Sequence, residues 1–346
     1  MFAGGQGPVT EGFLDIWNRW DVRHFMTVAD LGWVDPDVLA ARPAAFFPLY
    51  PLAIRALAAI GITPILAGML ISVVATWVAC TYLIKLADEE IGRGAGRRAA
   101  LYLLLFPTAV FLAAPYSEAL FIAGAVPAFY YARRARWLAA ALPAAVASAT
   151  RAAGMFLIAG LVFEYVRQAV RDHSWVGHRL RDAFVAIVAA AAPIVAFGTY
   201  LWATRGTAMQ YFIDQREGWG RNFPTNPLVA FQATWNTRLG ADYPTNWIFA
   251  WRIEILAALA GVLLTVWAAV RKEWGYTAYM GLFMVSLLMS SWYFSIPRML
   301  LSFFPAMLFL AEATDRDGTR HELAVVILAS VAALGVILFT RGAWFF

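Results

Sequence analysis

The chain has 346 residues, of which 62% are hydrophobic and only 14% charged, with a formal net charge of +5. A soluble globular domain carries about 25% charged residues, so this composition excludes one and points to an all-α polytopic membrane protein. The basic residues fall in short clusters between apolar runs, at 133–136, 167–181 and 271–272, as cytoplasmic loops do. The positive charge is therefore topological, and no nucleic-acid partner is expected. Cys80 is the only cysteine, which leaves neither a disulfide framework nor a cysteine metal site. Arginine far outnumbers lysine and alanine is abundant, as in the products of GC-rich bacterial genomes. No cleavable signal pattern is visible at the amino end.

In chain order, residues 1–64 read as a first outer loop with interfacial helices. Within it, Trp17-Asn18-Arg19-Trp20-Asp21-Val22-Arg23-His24-Phe25 gathers an acid, two arginines, a histidine and three aromatics. Ionisable groups beside interface aromatics point to a wet active site at the mouth of a bilayer protein, the alternative being a snorkelling interfacial helix. A helix over 14–29 would align Trp17, Asp21, His24 and Val28 on one face, with Arg19 and Arg23 on another. Asp21 then acts with His24 as general base for a sugar hydroxyl, or else forms a salt bridge to a neighbouring arginine. Asp35-Pro36-Asp37 resembles a two-acid metal-nucleotide motif, but Pro36 makes it a turn and no metal is assigned to it. Residues 45–61, with two prolines and Arg55, fit a re-entrant or interface-lying helix, and Phe46 to Tyr50 turn aromatics to headgroups or a lipid tail.

About ten apolar runs follow, near 65–84, 98–113, 118–132, 137–149, 152–166, 183–204, 251–270, 275–291, 298–313 and 322–340, several shorter than the ~20 residues of a full span. Basic loops at 85–98, 133–136, 167–182, 271–273 and 314–321, all placed in the cytoplasm, put residues 1–44 and the long loop 205–250 together on the opposite face. Asp88-Glu89-Glu90 reads as solvated cytoplasmic surface, and His173 and His178 lack zinc spacing. In Ala114-Pro115-Tyr116-Ser117-Glu118 the acid stands at the outer end of a run, as a site group or as a helix N-terminal acid. Arg151, in Thr150-Arg151-Ala152-Ala153-Gly154, and Arg298, in Ser295-Ile296-Pro297-Arg298, lie outside against the positive-inside bias. They fit either a forked grip on phosphate or snorkelling to headgroups. Asp214-Gln215-Arg216-Glu217-Gly218-Trp219-Gly220-Arg221-Asn222-Phe223-Pro224 lies in the long outer loop, where its glycines, aromatic and polar side chains could cup a sugar, or Gly218-Trp219-Gly220 be only a turn. No internal repeat or second domain is evident, so residues 1–346 read as a single membrane domain; the lack of paired halves counts against a transporter.

Taken in order, Arg19-Trp20-Asp21-x-x-His24-Phe25, Phe46-Phe47-Pro48-Leu49-Tyr50-Pro51, Pro115-Tyr116-Ser117-Glu118, Thr150-Arg151-x-x-Gly154, Gly218-Trp219-Gly220 and Pro297-Arg298-x-x-Leu301 resemble the PIG-V family, which includes the second mannosyltransferase of GPI-anchor synthesis and bacterial relatives. The resemblance implies a bacterial member with a GT-C glycosyltransferase fold, multi-pass in the cell membrane, its site on the extracytoplasmic face. It also implies a polyprenyl-phosphate sugar donor, usually mannose, and a glycolipid, glycan or protein acceptor. By motif, Asp21 matches the catalytic base of the first outer loop. Arg19, Trp20, His24, Tyr50, Tyr116, Glu118, Arg151, Trp219 and Arg298 are the candidate substrate-binding positions, the phosphate role of the arginines resting on charge and topology. No cofactor or metal is required, because guanidinium can offset the charge of the departing phosphate. Such enzymes carry a span before that loop, and sixteen residues precede Trp17 here. The competing class is a flippase or transporter that binds a lipid phosphate without cleaving it; its charged groups should lie near the membrane midplane.

Overall fold

The computed structural model describes residues 12, 14–40, 42–173, 175–237, 245–315 and 317–343, and the regular structure among them is helical. The amino segment is not one helix over 14–29. Asp15–Trp17 forms a 3-10 turn, Trp20 takes φ 51°, and α1 (Asp21–Leu31) starts at the next residue. A positive φ at a tryptophan stops helix propagation, so Trp17 leaves the face that Asp21 and His24 share. α2 (Pro36–Leu39) starts from Asp35, whose carboxylate accepts the Asp37 amide at 2.9 Å, so the two-acid motif is a helix cap. α3 (Leu49–Ala58) has 10 residues. At about 1.5 Å per residue it reaches only half of a ~30 Å hydrocarbon core.

The bundle is built from α4 (Pro64–Glu90), α5 (Ala95–Leu104), α6 (Glu118–Arg133), α7 (Trp137–Thr150), α8 (Gly154–Arg171) and α9 (His178–Arg205). It continues through α10 (Gln210–Trp219), α11 (Pro227–Thr237), α12 (Thr245–Val270), α13 (Trp274–Leu288), α14 (Ile296–Leu300), α15 (Phe304–Ala313) and α16 (Gly318–Thr340). Among the described residues four segments are long and apolar enough to cross a membrane: α4, α9, Ala250–Val270 of α12, and α16. Two of the apolar runs are broken. The run 98–113 divides into α5 and a 3-10 turn at Ala109–Leu112, and 298–313 divides into α14 and α15. Pro107 lies in the first break and Pro305 in the first turn of α15, where a missing amide and a fixed φ interrupt helical bonding.

The central helices pack as α6 on α7, α7 on α9, α8 on α13 and α4 on α6. Between α8 and α13 the approach is set by paired glycines: a Cβ on Gly160 would fall 2.9 Å from the Gly275 carbonyl oxygen. Close contact of this kind supplies the dispersion that holds helices together where lipid removes the hydrophobic drive.

One end of the bundle is tied by ions. Arg133 meets Glu90 at 2.5 Å and Glu273 at 2.8 Å, Arg167 meets Glu164 at 2.9 Å, and Tyr276 donates to Glu90 at 2.9 Å. Asp88-Glu89-Glu90 is thus not simply solvated surface, since Glu90 joins this cluster and Asp88 accepts the Gly94 and Gly96 amides. The cluster joins the carboxyl ends of α4, α6 and α8 to the start of α13. The start of α6, the α7–α8 turn and the end of α13 are therefore gathered at the other end.

Candidate active site

At that other end, residues from four distant parts of the chain form one ionic chain. Arg298 Nη1 lies 2.8 Å from Asp21 Oδ2, Arg298 Nε lies 3.4 Å from Glu118 Oε1, and Arg151 Nη1 lies 2.6 Å from the same Glu118 oxygen. Arg151 also donates to Ser117 Oγ at 2.9 Å. Glu118 is fully buried, and the two guanidinium groups are what compensates its charge.

Local structure explains the placement. Asp21 and Glu118 are the first residues of α1 and α6, where the helix dipole favours a carboxylate. Arg151 follows α7 in an extended conformation. The turn into α8 is so tight that a Cβ on Gly154 would sit 2.4 Å from Ser148 Cα, which accounts for the glycine three residues after the arginine. Arg298 rides on α14, which opens from Ser295 in the left-handed region at φ 63°. Glu254, a fully buried carboxylate of α12, accepts the Ser295 amide at 2.6 Å and the Ile296 amide at 2.7 Å, and so fixes the start of that short helix. Below the Arg298 guanidinium lie the rings of Phe111 and Tyr116, at 5.5 and 5.6 Å.

The chain borders a cavity of about 280 Å³, near the lower end of small-molecule sites. Asp21, Arg151, Arg298 and Arg221 stand on its wall with Gln215 and Trp219, and the rest is mainly aromatic and aliphatic, including Phe46, Phe156, Phe283 and Leu287. Burial pushes the Asp21 carboxyl up, but the Arg298 charge, with His24 and Arg221, outweighs it and holds the group below its ordinary value. Among the described residues no group of three histidines, cysteines or carboxylates is arranged to hold a metal ion.

The sequence-derived candidates separate into two sets. Asp21, Arg151, Arg298 and Trp219 line the cavity, with Glu118 directly behind the two arginines. Arg19, Trp20, His24, Tyr50 and Tyr116 do not line it. His24 lies between the rings of Phe46, at 5.2 Å, and Trp219, at 5.6 Å, which positions the cavity wall. Tyr50 is buried, with its hydroxyl donating to the Gly68 carbonyl at 3.0 Å. Tyr116 donates to the Arg19 carbonyl at 3.2 Å, while buried Arg19 donates to the Ile16 carbonyl at 3.3 Å, and Trp20 packs on the core. These five pack around the start of α1, beside the cavity rather than on its wall. Gln215 and Arg221 belong to the 214–224 segment expected to cup a sugar, without roles of their own, and Glu254 is not among the sequence candidates.

The cavity thus joins acids and arginines on one part of its wall to an aromatic and aliphatic surface on the rest, in a helical chain with segments able to cross a membrane. The chain belongs to the Mannosyltransferase (PIG-V) family, whose profile matches residues 8–211. It is 32% identical over 178 residues to GPI alpha-1,6-mannosyltransferase 2 of Mus musculus, covering 48% of this chain and 35% of the mouse protein. The proteins of the same name from Cricetulus griseus and Rattus norvegicus are each 31% identical, over 46% and 48% of this chain and 33% and 35% of theirs. The matched region thus spans about a third of these relatives' length. No solved structure matches the chain significantly. The family match takes in Asp21, Glu118 and Arg151 and leaves Arg221, Glu254 and Arg298 beyond it.

Proposed function

We propose that this protein is a multi-pass membrane mannosyltransferase of GT-C type, with about ten crossings, that moves mannose from a polyprenyl-phosphate donor to an acceptor hydroxyl on the extracytoplasmic face. The observation that carries this reading is the Asp21–Arg298 pair, at 2.8 Å, on the polar wall of a cavity whose remaining wall is apolar. Such a cavity suits a sugar phosphate with a prenyl tail. Family membership supports mannose, and the similarity to the mammalian GPI alpha-1,6-mannosyltransferases supports a glycolipid acceptor.

The chemistry is an inverting displacement. Asp21 takes the proton from the acceptor hydroxyl, the acceptor oxygen bonds to the anomeric carbon, and the bond from that carbon to the phosphate oxygen breaks. The electron pair leaves with polyprenyl phosphate, whose charge Arg298 and Arg151 offset. The carboxylate must be ionised to act, and Arg298 supports that form. Incubating the purified protein in nanodiscs with polyprenyl-phosphate mannose and a panel of glycolipid acceptors is expected to yield a mannosylated lipid and free polyprenyl phosphate. Absence of product with every acceptor, when the donor is shown to bind, would count against transfer chemistry.

The side of the membrane has its own test. The ion-tied end collects basic loops and is assigned to the cytoplasm, so Asp30 and Asn222 belong outside. Single cysteines at these two positions in a Cys80→Ala background are expected to react with an impermeant thiol reagent applied from outside. Labelling of only one of them would break the proposed topology.

A further inference from the structure

Three arginines and one carboxylate face the cavity, and their counter-charges are unevenly shared. Arg298 is paired with Asp21, and Arg151 with Glu118. Arg221 is different. Its guanidinium donates to the Phe294 carbonyl at 3.0 Å and reaches the Gln215 amide oxygen at 3.4 Å, both neutral acceptors, and lies 5.5 Å from the Phe294 ring. Among the described residues no carboxylate comes within ion-pair distance of it. It is half-buried and feels the positive charge of Arg298 across the same cavity, so an unbalanced cation is held where water cannot fully screen it. Burial first, and then Arg298, push its pKa down, while Asp21 and Glu254 act from a distance in the opposite sense.

We infer that Arg221 is the primary seat for the phosphate of a prenyl-phosphate ligand, which binds between Arg221 and Arg298 with its chain along the apolar wall. This rests on the proposed function and goes beyond it by assigning the anion to a residue outside the motifs that carry the family resemblance and outside the family match. The physical reason is charge balance. An anion placed at Arg151 or Arg298 must compete with a carboxylate already in contact, whereas at Arg221 it displaces only neutral acceptors and relieves repulsion between two guanidinium groups. A singly bridged phosphate also brings two or more free oxygens, enough to accept from Arg221 and Arg298 together.

The same site could in principle be filled by a phospholipid headgroup or inorganic phosphate, and the experiment separates these. Binding of a short-chain polyprenyl monophosphate to the protein in nanodiscs is measured without acceptor, for wild type, Arg221→Gln and Arg221→Lys, with phosphatidylglycerol and inorganic phosphate as competitors. Arg221→Gln still offers an amide donor to the Phe294 carbonyl but has no charge. It is expected to weaken polyprenyl phosphate by about tenfold or more, the scale of a lost charge-assisted hydrogen bond, with Arg221→Lys weakened less. Neither competitor should displace the ligand at equal concentration.

Wild-type affinity in Arg221→Gln would make the residue a strut for Phe294 and overturn the assignment, as would equal displacement by phosphatidylglycerol. Should neither variant fold, wild type alone decides. Polyprenyl phosphate is expected to protect Arg221 from phenylglyoxal, read by mass spectrometry, and unchanged modification would overturn the inference. Arg221-dependent binding without mannose transfer would sink the transferase reading alone. Transfer with an unchanged donor requirement in Arg221→Gln would sink only this one.

Discussion

Asp21→Asn is expected to lower mannose transfer by about 10²–10⁴-fold, the range for loss of a general base, while the protein still folds and binds donor. The amide keeps the shape of the carboxylate and can still accept a hydrogen bond from Arg298 through its oxygen, but it cannot take the acceptor proton. Its pH dependence follows from the same contact. Asp21 has a folded pKa lowered by Arg298, so its contribution to stability is present above the unfolded value and is lost as pH falls through the lower folded value. The acid limb of the transfer rate should therefore lie below the ordinary carboxylate range, and Arg298→Gln should move it upward. Turnover of Asp21→Asn within a few-fold of wild type, measured at saturating donor and acceptor, would remove Asp21 from the role of base.

What local patterns encode was legible in the chain. The Arg-Trp-Asp segment, the acid after Tyr116 and the arginine before Gly154 are short motifs in which an ionisable group is too costly near lipid to be idle, and all three reach the ionic chain. Contacts were not legible in the same way. Asp21 and Arg298 are 277 residues apart, and no periodicity says that they touch. Nor did the pattern separate residues that line the cavity from those that shape it. Tyr50 and Tyr116 look alike to Trp219 in a motif, yet only Trp219 is on the cavity wall. Helix starts failed for a backbone reason, the positive φ of Trp20, which side-chain spacing does not reveal.

Glu254 is a miss of another kind, because the signal was present. An acid within the apolar run 251–270 is costly and calls for a partner. Its partners are backbone amides of Ser295 and Ile296, which no search for an opposite charge would find. Arg221 lies inside the 214–224 segment, whose polar side chains suggest a sugar cup, but nothing in the local pattern sets its charge apart from that of Arg216.

Removing Arg298 should have the largest effect on stability, because it stands between two carboxylates. Arg298→Met keeps much of the side chain's volume over Phe111 and Tyr116 but leaves Asp21 unpaired and Glu118 with Arg151 alone. Breaking a buried pair from one side typically costs about 3–5 kcal/mol, since the stranded charge keeps its desolvation penalty without the attraction that offset it. Asp21→Asn in the Arg298→Met background removes that stranded charge. The double variant is therefore expected to be more stable than Arg298→Met, with a coupling between the sites of about 0.5–3 kcal/mol, the usual range for residues in contact. Unfolding of the four proteins in mixed micelles against SDS measures it. Strictly additive losses would show that the two charges do not depend on each other, and a wild-type midpoint for Arg298→Met would show that water already solvates the site well enough to replace the arginine.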